Sequence, residues 1–243
     1  MDYNGNETSG RPMAWEQAEN MRRALSACLT RVFMWMFAAL VVTGFTALIV
    51  ANSNALTVLV FGNPVIFYGL LIVEIGLVFG ISAGMNKLSS GAAAALFFVY
   101  AAVNGLTLSV VFIVYELGTI YAAFGICAVM FAVMAGFGAV TKKDLSSVGS
   151  LLFMALIGLI AASLVNFFLQ SEMLDYLVCY AGILIFVGLT AYDTQRTKKM
   201  LASAVEAGQE EAVRKISVIG ALSLYLDFIN LFLKILRLLG KRR

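Results

Sequence analysis

The chain has 243 residues, of which 61% are hydrophobic and only 13% charged, about half the roughly 25% of an ordinary soluble domain. Its 17 Lys+Arg and 14 Asp+Glu leave a formal net charge of +3, and it holds two prolines and no histidine. So few charges cannot cover a soluble surface of this size. The apolar, non-repetitive composition also excludes disorder and fibrous repeats, and the lack of His removes a His proton shuttle, a His-ligated metal site and a Ser/His/Asp triad.

A spanning helix needs about 20 mostly apolar residues. The polar segment 1–24, with Asp2, Glu7, Glu16 and Glu19, precedes the first such stretch, 25–50, which is too long for a signal-peptide core and reads as a retained span. The match to a glycosylation acceptor at Asn6-Glu7-Thr8 has no meaning in a cytoplasmic tail. The second span lies within 56–82 and is thinned by Gly62-Asn63-Pro64 near its start. Spans three to six are read at 92–115, 120–140, 148–169 and about 176–193, and a less apolar seventh at about 217–239. The expected fold is therefore all-α and integral to a membrane, with one seven-helix domain over 25–240 and a basic tail at 241–243.

Loop charges alternate. Arg11, Arg22 and Arg23 precede span one, Lys87 follows span two, Lys142 and Lys143 follow span four, and Arg196, Lys198, Lys199, Arg214 and Lys215 lie between spans six and seven. The loops between carry no Lys or Arg, which fits the positive-inside rule with a cytoplasmic N-terminus. Lys241-Arg242-Arg243 is the exception: either the early spans dominate the orientation or the seventh segment does not fully cross. In the polar stretch 194–216, Met200, Leu201, Ala204, Val205, Ala212, Val213 and Ile216 share one helical face. This predicts a cytoplasmic amphipathic helix on the membrane surface, or a docking site for a membrane-protein partner. Cys28, Cys127 and Cys179 lie in apolar spans without metal-ligand spacing and carry no function.

The informative charges are those inside spans. Glu74 sits in the second, Asp193 closes the sixth, and Asp227 lies about ten residues into the seventh. A charge at the centre of a spanning helix costs about 2.5–3.5 kcal/mol on insertion scales, and such residues face a bundle interior or water. In the seventh span Ser223, Asp227, Asn230, Lys234 and Arg237 recur at +4, +3, +4, +3, all on one face. Such a stripe belongs in the middle of a bundle or beside a cavity. The alternative is an internal Asp–Lys–Arg network that only locks helices together. Asn104 and Asn166 predict interhelical hydrogen bonds, and Gly76, Gly80 and Gly84 predict close helix packing.

Two stretches carry a resemblance. Ala191-Tyr192-Asp193-Thr194-Gln195, and the seventh-span segment Ala221-Leu222-Ser223-Leu224-Tyr225-Leu226-Asp227-Phe228-Ile229-Asn230-Leu231-Phe232, resemble the signature segments of the Bax inhibitor-1 family, the transmembrane Bax inhibitor motif proteins. Asn104-Gly105-Leu106-Thr107-Leu108-Ser109 and Lys142-Lys143-Asp144-Leu145-Ser146 fit the same pattern, and the likeness covers about 74–239.

The resemblance implies six helices around a central, polar-striped seventh and a pH-sensitive calcium leak. It places an aspartate pair, by motif Asp193 and Asp227, as pH sensor and gate, with calcium as the permeant or bound ion. It also implies a basic latch at the end of span two, for which Lys87 is the nearest match, a Lys where an Arg is expected. Glu74, Lys87, Asn104, Ser223, Asn230, Lys234 and Arg237 form the expected supporting polar network, Glu74 and Asn230 as additional oxygens for calcium. Two carboxylates close together in low dielectric do not both ionise readily, so such a pair can share one proton and hold spans six and seven together.

Two other readings stand beside the leak channel. One is a proton-coupled transporter of a small solute. The other is a non-transporting regulator that binds a membrane protease or another membrane protein through 194–216. No Zn motif, nucleophile–base pair or phosphate loop points to an enzyme, and no cofactor or nucleic acid is implied. A compact chain without long tails suggests a bacterial plasma membrane.

Overall fold

The computed structural model describes residues 10–84 and 87–240, with side chains from Trp15 onward. The glycosylation match at residues 6–8 and the basic tail 241–243 lie outside it. Eight helices follow one another: α1 (Gly10–Ala51), α2 (Asn54–Phe61), α3 (Pro64–Ala83), α4 (Ser90–Val114), α5 (Leu117–Val140), α6 (Ser146–Leu169), α7 (Glu172–Glu206) and α8 (Glu210–Leu239). Seven of them are long and apolar enough to cross a membrane. Large apolar side chains such as Val65, Val140 and Phe168 are three-quarters exposed on their outer faces, as a lipid-facing surface requires. The chain is a multi-pass integral membrane protein.

Short polar signals end and restart the helices. Asn63 accepts a hydrogen bond from the Val65 N–H (2.9 Å) and Pro64 takes the first helical position, so the predicted second span divides into α2 and α3. The eight-residue α2 is too short to cross. Ser89 and Ser171 cap α4 and α7. Gly208, at φ 65°, makes the reversal between α7 and α8.

Two predicted boundaries shift for a physical reason. Helix α7 runs 13 residues past Asp193 and α8 starts seven residues before Ser217. The stretch 194–216 is thus not a separate surface helix but the two arms of an antiparallel hairpin. Leu201, Ala204 and Val213, from its apolar face, are buried within the protein. At about 1.5 Å per residue, α7 measures ~52 Å, far beyond the ~30 Å hydrocarbon core. At the other end of the chain, Arg31 falls inside the predicted first span. It lines a cavity with Gly208, Gln209 and Arg214 at the tip of that hairpin. The apolar crossing of α1 therefore starts beyond Arg31, at the level of the other basic loops.

Helix α8 is the most enclosed: 61% of its apolar window is buried, against 6% for α3. Helices α1, α4, α5 and α7 pack directly on it, while α3 packs on α4 and α6 on α7. The predicted close packing of α3 is not found. A Cβ at Gly76 or Gly80 would meet nothing within 4 Å. The tight crossings lie elsewhere. A Cβ on Gly138 of α5 would strike the backbone of Ala191 on α7, and one on Gly220 of α8 would strike the Thr197 side chain. A Cβ on Gly149 of α6 would meet the Tyr192 ring. These contacts clamp the segment carrying Asp193 from three sides.

Candidate functional site

Asp193 and Asp227 are 8% and 4% exposed and line one cavity of about 470 Å³ between α6, α7 and α8. Ser223, Asn230 and Lys234 line it too, so four of the five stripe residues of α8 share its wall. Leu156, Leu159 and Phe186 supply much of the apolar remainder. The register of the antiparallel pair sets the spacing of the acids. Thr197 lies against Gly220 and Gly182 against the Lys234 stem. Asp193 is therefore level with Ser223, and Asp227 stands about one turn, ~5 Å, further along α8.

No hydrogen bond joins the two carboxylates among the described residues. Asp227 Oδ2 is fully buried without any partner. A buried charged oxygen left unpaired is costly, so ionisation here calls for a cation or a new hydrogen-bond partner. Asn230 spends its amide N–H on the Leu226 carbonyl (2.8 Å), leaving its side-chain oxygen free. The Gly182 crossing gives room for the Lys234 stem.

The remaining predicted residues are distributed differently. Lys87 is exposed in the α3–α4 turn and makes no ion pair among the described residues. The cation beside Asp193 is instead Arg196, three residues on along α7 and a lining residue of the cavity. The spacing could have revealed it, since i and i+3 share a helix face. Arg237 lies outside the cavity, paired with Asp175 at the start of α7 (2.6 Å).

Glu74 is also apart from the aspartates. It accepts hydrogen bonds from Asn104 Nδ2 (3.2 Å) and Thr107 Oγ1 (2.7 Å) of α4. The Tyr225 hydroxyl of α8 donates to Asn104 Oδ1 (3.0 Å) and lies 2.7 Å from Thr43 Oγ1 of α1. Asn104 thus makes the interhelical bonds that its position predicts, in a network that ties α1, α3 and α4 to α8. Tyr225 is wholly buried between the rings of Phe97 and Tyr100. Replacing it by Phe should leave Asn104 short of a donor and lower stability by about 1–3 kcal/mol, read by thermal unfolding in detergent. An unchanged melting temperature would contradict this role. Asn166, by contrast, makes no interhelical bond. It accepts from Ser171 N (3.0 Å) and closes the α6–α7 turn, where Gln170 adopts the left-handed conformation at φ 48°.

At the basic end two motif segments meet. The buried Gln195 accepts from the Leu145 N–H (2.9 Å) and donates to the Lys143 carbonyl (2.7 Å). Lys199 pairs with Asp144. The hydrogen bond from Lys199, with those from Ser146, holds the Asp144 carboxyl down at about 2. The backbone N–H and hydroxyl of Ser90 likewise lower Glu211, which caps the start of α4. A depressed carboxyl stabilises above its ordinary value and loses that contribution only as pH falls through the folded one. For Asp144 that window lies between 3.8 and about 2. These surface clamps therefore stay closed across about pH 5–8, and a response in that range must come from elsewhere.

The sequence family described as "Inhibitor of apoptosis-promoting Bax1" matches residues 25–243. The chain belongs to this Bax inhibitor-1 family. It is 48% identical to "Inner membrane protein YbhL" of Escherichia coli (strain K12) over 222 residues, 91% of this chain and 94% of that protein. It is 41% identical to an uncharacterized protein of Borreliella burgdorferi over 215 residues, 88% and 92% of the two chains. Uncharacterized protein RP147 of Rickettsia prowazekii is 38% identical over 227 residues, 93% and 92% of the two.

Proposed function

We propose that this protein is a pH-sensitive cation leak pathway, passing calcium, in which the proton state of Asp193 and Asp227 controls passage. The observation that carries this reading is the fully buried, unpartnered oxygen of Asp227, a residue that lines the same cavity as Asp193. With a proton on the pair, the cavity holds neutral acid groups and the α6–α7–α8 packing stays closed. Loss of the proton places negative charge between two packed helices and draws in a cation. The reading takes α8 as the central helix of the bundle, supported by its burial and by the four helices packed on it.

Calcium prefers about six to eight oxygen ligands. Asp193, Asp227, the Ser223 hydroxyl and the Asn230 side-chain oxygen reach the low end of that range only when both carboxylates bind through two oxygens, which suits an ion in transit better than one held. Glu74 is excluded from the set, because Asn104 and Thr107 hold it on the α3–α4 side. We place the protein in a bacterial plasma membrane, as the name of its Escherichia coli relative suggests, with the basic end cytoplasmic. No enzymatic step or cofactor enters this reading.

The regulator reading has less support. Leu201, Ala204 and Val213 of the segment meant to bind a partner are spent inside the protein. The test is calcium flux into liposomes containing this protein alone, over about pH 5–8. The channel reading predicts flux that rises as the pair loses its proton. No flux at any pH sinks it, and flux that saturates with a fixed proton stoichiometry favours a transporter.

A further inference from the structure

Arg237 recurs in the polar stripe of α8 yet stands apart from the aspartate cavity. Its Nε donates to Asp175 Oδ2 (2.7 Å) while Nη2 lies 2.6 Å from Oδ1, a two-pronged pair between the last turn of α8 and the first turn of α7. Two more cavities lie along α8 between the aspartates and this pair. One of about 430 Å³, between α4 and α8, has Asn230, Lys234 and Arg237 in its wall. The next, of about 490 Å³, is lined by Arg237, Asp175 and the α6–α7 turn at Gln170 and Ser171. Neighbouring cavities share residues: Asn230 and Lys234 join the first to the second, and Arg237 joins the second to the third.

A line of cavities that ends on a basic residue would ordinarily repel a cation. Here both oxygens of Asp175 neutralise the guanidinium, so the pair itself carries little net charge. The planar fork gives the closed position a defined geometry. The side chains of Arg237 and Asp175 remain 48% and 26% exposed. Partly exposed pairs hold weakly and separate readily, which suits a barrier that opens better than a permanent tie. We propose that the Asp175–Arg237 pair is a second gate, closing the C-terminal end of α8 to the cavities that lead from Asp193 and Asp227. This rests on the permeation reading above.

The test reads access rather than flux, so that the two ideas fail separately. Asn230→Cys in the full chain, in liposomes, is labelled with a membrane-impermeant thiol reagent added on the side of the α8 C-terminus. The wild type, with its three native cysteines, gives the background. Adding Arg237→Gln should speed labelling by about two- to fivefold, the change expected when one weak barrier is removed. The charge exchange Asp175→Arg with Arg237→Asp should return it to the slow rate. A melting temperature within error of the parent shows that the bundle is intact, and Arg237→Lys, which keeps the charge without the fork, should fall between the two rates. Equal labelling in all variants overturns the gate, as does an exchange variant as fast as Arg237→Gln. Gated labelling with no calcium flux would instead leave the gate and remove the calcium reading.

Discussion

Asp227→Asn should yield a folded protein whose calcium flux no longer depends on pH. The substitution keeps the shape of the side chain in a place where shape matters, since Asp227 is 4% exposed and sits on the face of α8 that meets α7. It removes a fully buried ionisable atom that has no hydrogen-bond partner, Oδ2. In the wild type, charge on that oxygen must be met by a proton, by a cation in the cavity or by movement of the helices. Arg196 and Lys234 share the cavity, but neither forms an ion pair with it among the described residues. A wild-type change of about tenfold across about pH 5–8 should shrink to less than about twofold in the variant. Asp193→Asn should alter the profile without flattening it, because Asp193 stands a turn away beside Arg196 and keeps some exposure to the cavity. Loss of folded protein in either variant would favour a purely structural network. The test is flux at stepped pH, with size-exclusion behaviour as the folding control.

Gly138→Val should prevent accumulation of folded protein. A Cβ at this position would fall on the carbonyl carbon and oxygen of Ala191, which are backbone atoms of a packed helix and cannot move aside. Helices α5 and α7 would have to separate where α7 presents Asp193. Overpacking a well-packed contact costs about 1–3 kcal/mol even where side chains can adjust, and a backbone clash exceeds that range. Gly76→Ala on α3 is the matched control. Its added methyl meets nothing and should raise helix stability by about 0.5–1 kcal/mol. Melting curves in detergent distinguish the two. A Gly138→Val protein as stable as wild type would mean that the α5–α7 crossing is wrongly drawn.

What could be read from the amino acids follows a physical divide. Span positions and the α8 stripe depend on local composition and on the 3.6-residue period, which a single segment carries by itself. The contacts of a face depend on a partner that the segment does not name. The apolar positions of 194–216 look alike whether they lie on lipid or on a neighbouring helix, and they prove to pack inward as parts of α7 and α8. Gly76 and Gly80 have the spacing of a close crossing but no helix against them, while Gly138 and Gly220, with no such spacing, make the tight approaches. Glu74 and Asp227 are both acids in spans, and only the assembled bundle shows that both oxygens of Glu74 accept hydrogen bonds while Asp227 Oδ2 has none. Tyr225 stood in the resembling segment but gave no sign of this role, because a buried Tyr is ordinary until its hydroxyl is seen to reach Asn104.

The central claim is that proton exchange at the aspartate pair governs cation passage. It is tested most directly by calcium flux through wild type and Asp227→Asn, reconstituted side by side in liposomes free of other proteins and stepped through about pH 5–8. The account predicts a wild-type flux that rises with pH and a flat Asp227→Asn profile. Two profiles that rise in parallel would contradict it.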